Sequence, residues 1–140
     1  MLPVIAKQLS LPYSSREGWL SGSFEQLTGE GVGRRIELGI CFPALGGEIT
    51  DWKSAGPYRV RGVPCYGFSE DLGTPELYDP SLETCFGEIL EDFKPDMIHV
   101  FGTEFPHALA AVRAFGKPER TLVGIQGLCY KIAEVYMAKL

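Results

Sequence analysis

Along the chain, short apolar runs alternate with segments in which apolar residues recur at helical spacing. From Ile36 to Phe42 the run Ile-Glu-Leu-Gly-Ile-Cys-Phe is mostly apolar and is closed by Pro43, the composition of a strand buried between layers. Tyr58 to Phe68, bounded by Gly56-Pro57 and Gly67, offers Val60, Val63, Cys65 and Tyr66 to a second strand. Gly62 and Pro64 weaken it and place it near an edge. Asp79-Pro80 supplies an N-cap and a first-turn proline, after which Leu82, Cys85, Phe86, Ile89, Leu90 and Phe93 fall at offsets of 3, 4, 7, 8 and 11. That spacing predicts an amphipathic helix. Lys94-Pro95-Asp96 stops it, and Met97-Ile98-His99-Val100-Phe101 follows as a buried strand ending at Gly102. From Pro106 to Phe115 a second helix carries Ala108, Leu109, Val112 and Phe115 on one face, with Gly116 as C-cap and Pro118 beyond it. Thr121 to Gln126 reads as another strand, and Leu128, Ile132, Val135 and Tyr136 resume helical spacing towards Leu140. Near the start, Gly18-Trp19-Leu20-Ser21-Gly22 leads into Phe24 and Leu27, a helix with glycines at its N-terminus.

Strands alternating with helices imply β-α-β crossovers, hence an α/β fold: a Rossmann-like, mostly parallel sheet with helices on both faces. A length of 140 residues leaves room for a single domain over residues 1–140. The net charge of −5, with Arg34-Arg35 as the one adjacent basic pair, argues against a nucleic-acid partner. Cys41, Cys65, Cys85 and Cys129 are widely spaced, without a Cys-x-x-Cys pair, and read as buried thiols of a cytoplasmic protein, not as a metal or disulfide framework. No apolar run approaches the roughly 20 residues that span a bilayer.

In open α/β sheets ligands bind beyond the carboxyl ends of the strands, which directs attention to the residues after Phe42, Phe101 and Gln126. The richest junction is Gly102-Thr103-Glu104-Phe105-Pro106-His107. Gly102 lets a ligand approach the backbone, Thr103 is placed to cap the helix, and the helix N-terminus offers unpaired N–H groups to a phosphate or sugar oxygen. Glu104 is placed to orient a hydroxyl or accept its proton, and His107 in the first helical turn is the better of the two histidines as a polar site candidate. The plainer alternative is that Thr103 and Glu104 only cap a helix and complement its dipole. His99, in mid-strand, reads as a hydrogen-bonded core histidine. Gln126-Gly127 ends the last strand in the same layer, where glycine serves a ligand or a plain turn equally well.

Pro95-Asp96-Met97-Ile98-His99-Val100-Phe101-Gly102-Thr103-Glu104 resembles the Pro-Asp-hydrophobic-hydrophobic-His stretch of bacterial GT-B glycosyltransferases of the glycogen-synthase-like superfamily. Phe105-Pro106-His107, Gly124-Ile125-Gln126-Gly127-Leu128 and Gly18-Trp19-Leu20 look like one branch of these enzymes. The resemblance implies the acceptor-side, N-terminal half of an enzyme that moves a sugar from a nucleotide diphosphate donor to a glycan, lipid or other acceptor, without a metal or a further cofactor. It implies that Gly18 lies near the donor phosphates and that the loop with Glu104 and His107 faces the cleft between the two halves. Gly102, Thr103, Gln126 and Gly127 would then line the substrate side.

Two departures from that family qualify the expectation. The chain opens Met-Leu-Pro and has Glu17-Gly18 where the family has a central strand and a Gly-Gly pair. The first strand is therefore expected to be missing, with residues 2–6 as an extended substitute and a sheet edge open to self-association. The donor domain, marked by two glutamates separated by seven residues, is expected to lie outside this chain, so the fragment alone is expected not to turn over. Glu83 and Glu91, like Glu17 and Glu25, match that spacing, but the first pair falls on the solvent side of a helix. The full-length enzyme is expected in the cytoplasm, in reach of the membrane face. The alternative is a non-catalytic α/β binding or interaction module, since no complete set of nucleophile, base and oxyanion donors is present. No Gly-x-Ser-x-Gly elbow or Gly-x-Gly-x-x-Gly turn points to a hydrolase or a dehydrogenase.

Overall fold

The computed structural model describes residues 3–8, 18–29, 35–44, 52–71, 73–74 and 77–125. These fall into two compact units that meet in sequence between Ser69 and Glu70. The chain is mixed α/β, and among the described residues it forms one small mixed sheet and one small parallel sheet.

In the first unit, α1 (Pro3–Gln8) and α2 (Gly18–Thr28) precede β1 (Ile40–Ala44), the short α3 (Trp52–Ala55), β2 (Tyr58–Val60) and β3 (Val63–Ser69). The extended segment expected over residues 2–6 is instead helical from Pro3. Proline suits a first helical position because the N–H it lacks would find no partner there, and the helix buries Ile5 and Ala6 completely. The strand expected over Ile36–Phe42 starts four residues later and runs through Pro43, because its extent is set by parallel pairing with β3, from Ile40 opposite Cys65 to Ala44 opposite Ser69. β1 is an edge strand of this sheet, where a proline can be carried.

The single strand expected over Tyr58–Phe68 is a hairpin. Arg61 and Gly62 have φ of 52° and 83°, the positive pair of a two-residue turn whose twist matches its flanking strands. Val60 opposes Val63 across it. Gly62, which seemed only to weaken a strand, is what permits the reversal. Pro64 sits before the stretch that pairs with β1, so its missing N–H interrupts no bond to that strand. The hairpin is tied to α2 by Arg61, whose Nη1 donates to both carboxylate oxygens of Glu25 at 2.8 and 2.7 Å, and whose guanidinium lies 5.7 Å from the Phe24 ring centre. The hairpin is tied to α1 as well, where the Gln8 amide donates to the Arg59 carbonyl at 2.7 Å. Ile5, Phe24, Phe42, Val60, Val63 and Cys65 form the core.

In the second unit α4 (Ser81–Phe93), β4 (Ile98–Phe101), α5 (Pro106–Phe115), a single 3-10 turn (Pro118–Arg120) and β5 (Thr121–Gly124) follow in order, close to the pattern read from the sequence. The cap position of α4 falls on Pro80, one residue later than the Asp79 expected to hold it, and the Asp79 carboxylate accepts from the Ser81 N–H at 2.9 Å. Lys94, at φ 53°, closes it by donating its N–H to the Leu90 carbonyl. Gly116 ends α5 in the same left-handed conformation, donating to Val112. Leu82, Phe86 and Ile89 are buried on α4, as are Ala108, Ala110 and Phe115 on α5. β4 and β5 pair in parallel, with Ile98 opposite Thr121 and Phe101 opposite Gly124. No helix among the described residues is long and apolar enough to cross a membrane.

The cysteines are not uniformly buried. Cys65 is buried but Cys41 is exposed, because alternation along β1 turns Phe42 inward and Cys41 outward. Withdrawal from water pushes the Cys65 thiol up to about 11, which opposes the thiolate that alkylating reagents need. Iodoacetamide on the folded protein at neutral pH should therefore label Cys41 and spare Cys65, as peptide mass mapping will report. Since the folded-state value lies above that of an unfolded thiol, the associated stability is complete below the unfolded value and is lost as pH rises through the folded one. Urea denaturation at stepped pH should show this loss between about 9 and 11, flattened in Cys65→Ala. Phe86→Ala, which empties a 5% exposed site, should lower unfolding free energy by about 3–5 kcal/mol in the same assay.

Candidate functional site

The junction after β4 is built by the sheet ladder, one glycine and one remote carboxylate. Gly102 donates its N–H to the Gly124 carbonyl at 2.8 Å, which extends the β4–β5 ladder by one residue. Its φ of 87° then turns the chain out of the strand, a conformation that side-chain-bearing residues rarely adopt. Thr103 and Glu104 follow at the surface. The Glu104 carboxylate accepts the Thr103 N–H at 2.8 Å. Phe105 is extended and takes the cap position, and Pro106 begins α5. Thr103 lies two residues before that cap, so it does not hold the capping role expected of it.

The carboxylate that serves the start of α5 comes from Glu70. One oxygen accepts the His107 backbone N–H at 2.9 Å, and the other lies 2.5 Å from His107 Nδ1. Only 3% of the Glu70 side chain is exposed, against 21% for His107. A carboxylate so far out of water needs hydrogen bonds to compensate its desolvation. A helix N-terminus and an imidazole supply them. The Phe105 ring stacks on the imidazole, with centres 5.8 Å apart and planes 10° off parallel. The imidazole is thus held at an edge and across a face.

Beside this pairing lies a cavity of about 180 Å³, lined by Glu70, Asp71, Thr74, Tyr78, Leu82 and Pro106 among others. The Asp71 carboxylate accepts the Thr74 hydroxyl and the Gly73 N–H, both at 2.8 Å, and these bonds hold it below the usual carboxylate range. Tyr78 donates its hydroxyl to Glu83, which also accepts from Arg113 at 3.3 Å. Arg113 lies 5.1 Å from the Tyr78 ring centre. The Tyr78 bond holds Glu83 below its ordinary range. Glu83 is therefore half-buried and joins α4 to α5, instead of facing solvent as expected, whereas Glu91 is 85% exposed beside Lys94.

Gly102, Thr103, Glu104 and His107 thus share one strand-to-helix junction. Gly18 belongs to the first unit, where it opens α2. Gln126 and Gly127 lie outside the described residues, as does the helix expected over 128–140. His99 is not a core histidine: Ile98 and Val100 are half-buried, while His99 and Phe101 face outward. Their ring centres are 3.9 Å apart, and burial beside that neighbour pushes the His99 ring down from its ordinary value. Among the described residues, no three His, Cys, Asp or Glu side chains converge as metal ligands.

Glu70 was missed in the sequence. It directly follows the last residue of β3, so the strand-end rule, extended to that strand, would have included it. Its pairing with a residue 37 positions later is invisible to local pattern. No protein-family model, curated protein or solved structure matches the chain.

Chemically, the junction offers an oriented imidazole, a buried carboxylate and an exposed carboxylate near a helix N-terminus, a set suited to hydrogen-bonding hydroxyl groups. Glu70→Ala should leave the His107 N–H without its acceptor. Amide hydrogen exchange at His107 should accelerate, and the unfolding free energy should fall by about 1–3 kcal/mol. Glu70→Gln, which keeps an oxygen for that N–H, should lose less in both measurements.

Proposed function

We propose that this chain is the acceptor-side domain of a two-domain GT-B glycosyltransferase that moves a sugar from a nucleotide diphosphate sugar to a glycan, lipid or other hydroxyl-bearing acceptor. The observation that carries the reading is the Gly102–His107 junction. It lies beyond the carboxyl end of a parallel strand, where α/β folds bind ligands, and its imidazole is held by Glu70 and Phe105. The motif resemblance runs through the same residues. The parallel pairings of β1 with β3 and of β4 with β5 support the finer fold reading, a Rossmann-like, mostly parallel arrangement.

In such a transfer the acceptor oxygen bonds to the anomeric carbon of the donor sugar. The bond from that carbon to the nucleotide diphosphate breaks, and the hydroxyl proton leaves. His107 and Glu104 would serve the acceptor side by orienting the hydroxyl and receiving its hydrogen bond or proton. Gly102, Thr103, Gln126 and Gly127 would border the substrate, and Gly18 the donor phosphates. The reaction on this reading uses no metal, takes place in the cytoplasm or at its membrane face, and needs a donor-binding domain besides this chain.

One observation favours a second reading, that of a non-catalytic binding module: the Glu104 carboxylate is engaged by the N–H of its own neighbour, Thr103. That reading expects no sugar-nucleotide turnover even from a protein joined to a donor domain. The deciding experiment is a sugar-transfer assay on the full coding sequence. His107→Ala and Glu104→Gln should each lower turnover by about 100-fold or more; the thermal midpoint should shift little in Glu104→Gln, whereas His107→Ala, which takes the ring donor from the buried Glu70 carboxylate, should lower it as well. Wild-type rates in both variants would return these residues to a structural role.

A further inference from the structure

We infer that Phe105 is the platform of the acceptor site: the solvent-facing part of its ring stacks against the C–H face of a pyranose, so the acceptor is a glycan, free or carried by a lipid. The inference rests on the acceptor-side reading for what is done to that sugar, whereas the binding of the sugar stands on the surroundings of Phe105 alone.

Folding does not account for an aromatic ring at this position. Phe24, Phe42, Phe68, Phe86 and Phe115 are at most 8% exposed, whereas Phe105 is 38% exposed. It takes the cap position of α5, where a short polar side chain is preferred, and its side chain gives the helix no cap bond. The ring is nevertheless held. Its centre lies 5.8 Å from that of the His107 imidazole, with planes 10° off parallel, and Glu70 in turn fixes the imidazole through the His107 N–H and Nδ1. A flat apolar surface oriented before a ligand arrives loses little freedom on binding.

The neighbours of the ring select what lands on it. Thr103, Glu104 and Phe105 are consecutive and all exposed. The Glu104 carboxylate gives Oε2 to the Thr103 N–H, and a carboxylate has acceptor sites beyond one such bond. Residues 102–109 include no Lys or Arg, so a phosphate-bearing headgroup would meet a carboxylate there without a basic side chain to pair with. An alkyl chain suits the ring but offers nothing to the carboxylate. A pyranose suits both. Its C–H bonds present slightly positive hydrogens to the negative face of the ring, and its rim carries hydroxyl donors for Glu104 and Thr103. A ring that served only to keep water from the Glu70–His107 bonds would be replaceable by any apolar side chain of similar bulk.

That difference sets the experiment. The Phe105 ring resonances, assigned by comparison with Phe105→Leu, are followed by NMR while the chain is titrated with the methyl glycosides of glucose, galactose and mannose. At least one glycoside should shift them. Its affinity, read on the Glu104 and His107 amides, should fall by about two- to tenfold in Phe105→Leu and be kept in Phe105→Tyr. No shift with any of the three overturns the inference, whether or not a variant folds. So does an affinity unchanged in Phe105→Leu, the result for a plain apolar cover, or a shift of the same size with 1-hexanol. The hexyl glycoside separates the two sources of the sugar: affinity equal to that of the methyl glycoside fits a free glycan and tighter binding a lipid-carried one, and both uphold the pyranose. In the full coding sequence, Phe105→Leu should raise the KM for a glycan acceptor by about two- to tenfold with the donor KM unchanged. A rise in the donor KM instead overturns the acceptor assignment. Absence of transfer by the wild-type full-length protein defeats the glycosyltransferase reading, and the titration, which needs neither donor nor transfer, still decides whether Phe105 binds a pyranose.

Discussion

A carboxylate almost wholly withdrawn from water is the constraint around which the second unit is organised. Burying such a charge costs several kcal/mol unless fixed donors replace the lost water. For Glu70 the donors come from a single residue, His107, through its backbone N–H and its ring. The carboxylate thereby joins the first residue of the unit to the first turn of α5. It also compensates a helix start that Pro106 and Phe105 leave without a side-chain cap of their own. The orientation of the candidate site is thus a consequence of charge compensation. The same bonds that make burial of Glu70 tolerable also set the plane of the imidazole.

The first unit answers a different constraint, that of turning the chain back in two residues. Arg61 and Gly62 adopt positive φ, and from that turn the Arg61 side chain extends to α2. Its guanidinium reaches the Glu25 carboxylate and lies over Phe24 on α2. An exposed ion pair contributes little to stability by itself. Here it adds direction, holding the hairpin turn against α2, whose Phe24 shares the core with Val60 and Val63.

These two arrangements bear differently on chemistry. The hairpin is a scaffold device that explains β3, the central strand of the mixed sheet. The Glu70–His107 pairing joins structure to a candidate reaction, because it holds an imidazole in one orientation at the strand-to-helix junction. Glu104, a residue of equal promise by type, sits at the surface with its carboxylate on a neighbouring N–H. Equal chemical capacity in a sequence therefore does not mean equal preorganisation.

The sequence by itself determined the elements whose signals are local. Asp79, Pro80 and the apolar spacing gave α4, while Pro106 and Gly116 bounded α5. The short apolar runs gave β4 and β5, and Gly102 marked the exit from β4. Caps, proline rules and hydrophobic period act over a few residues, so they can be read without a partner. Tertiary structure decided what depended on distant partners. The span of β1 followed from its register with β3, the outward face of His99 and Cys41 from which side each sheet buries, and the helical α1 from a core that accepts Ile5 and Ala6. Position 62 needed the whole hairpin before its glycine became intelligible. Glu70 is the clearest case, because the energy that holds it against His107 comes from burial and hydrogen bonding between residues far apart in the chain, and neither leaves a trace in local pattern.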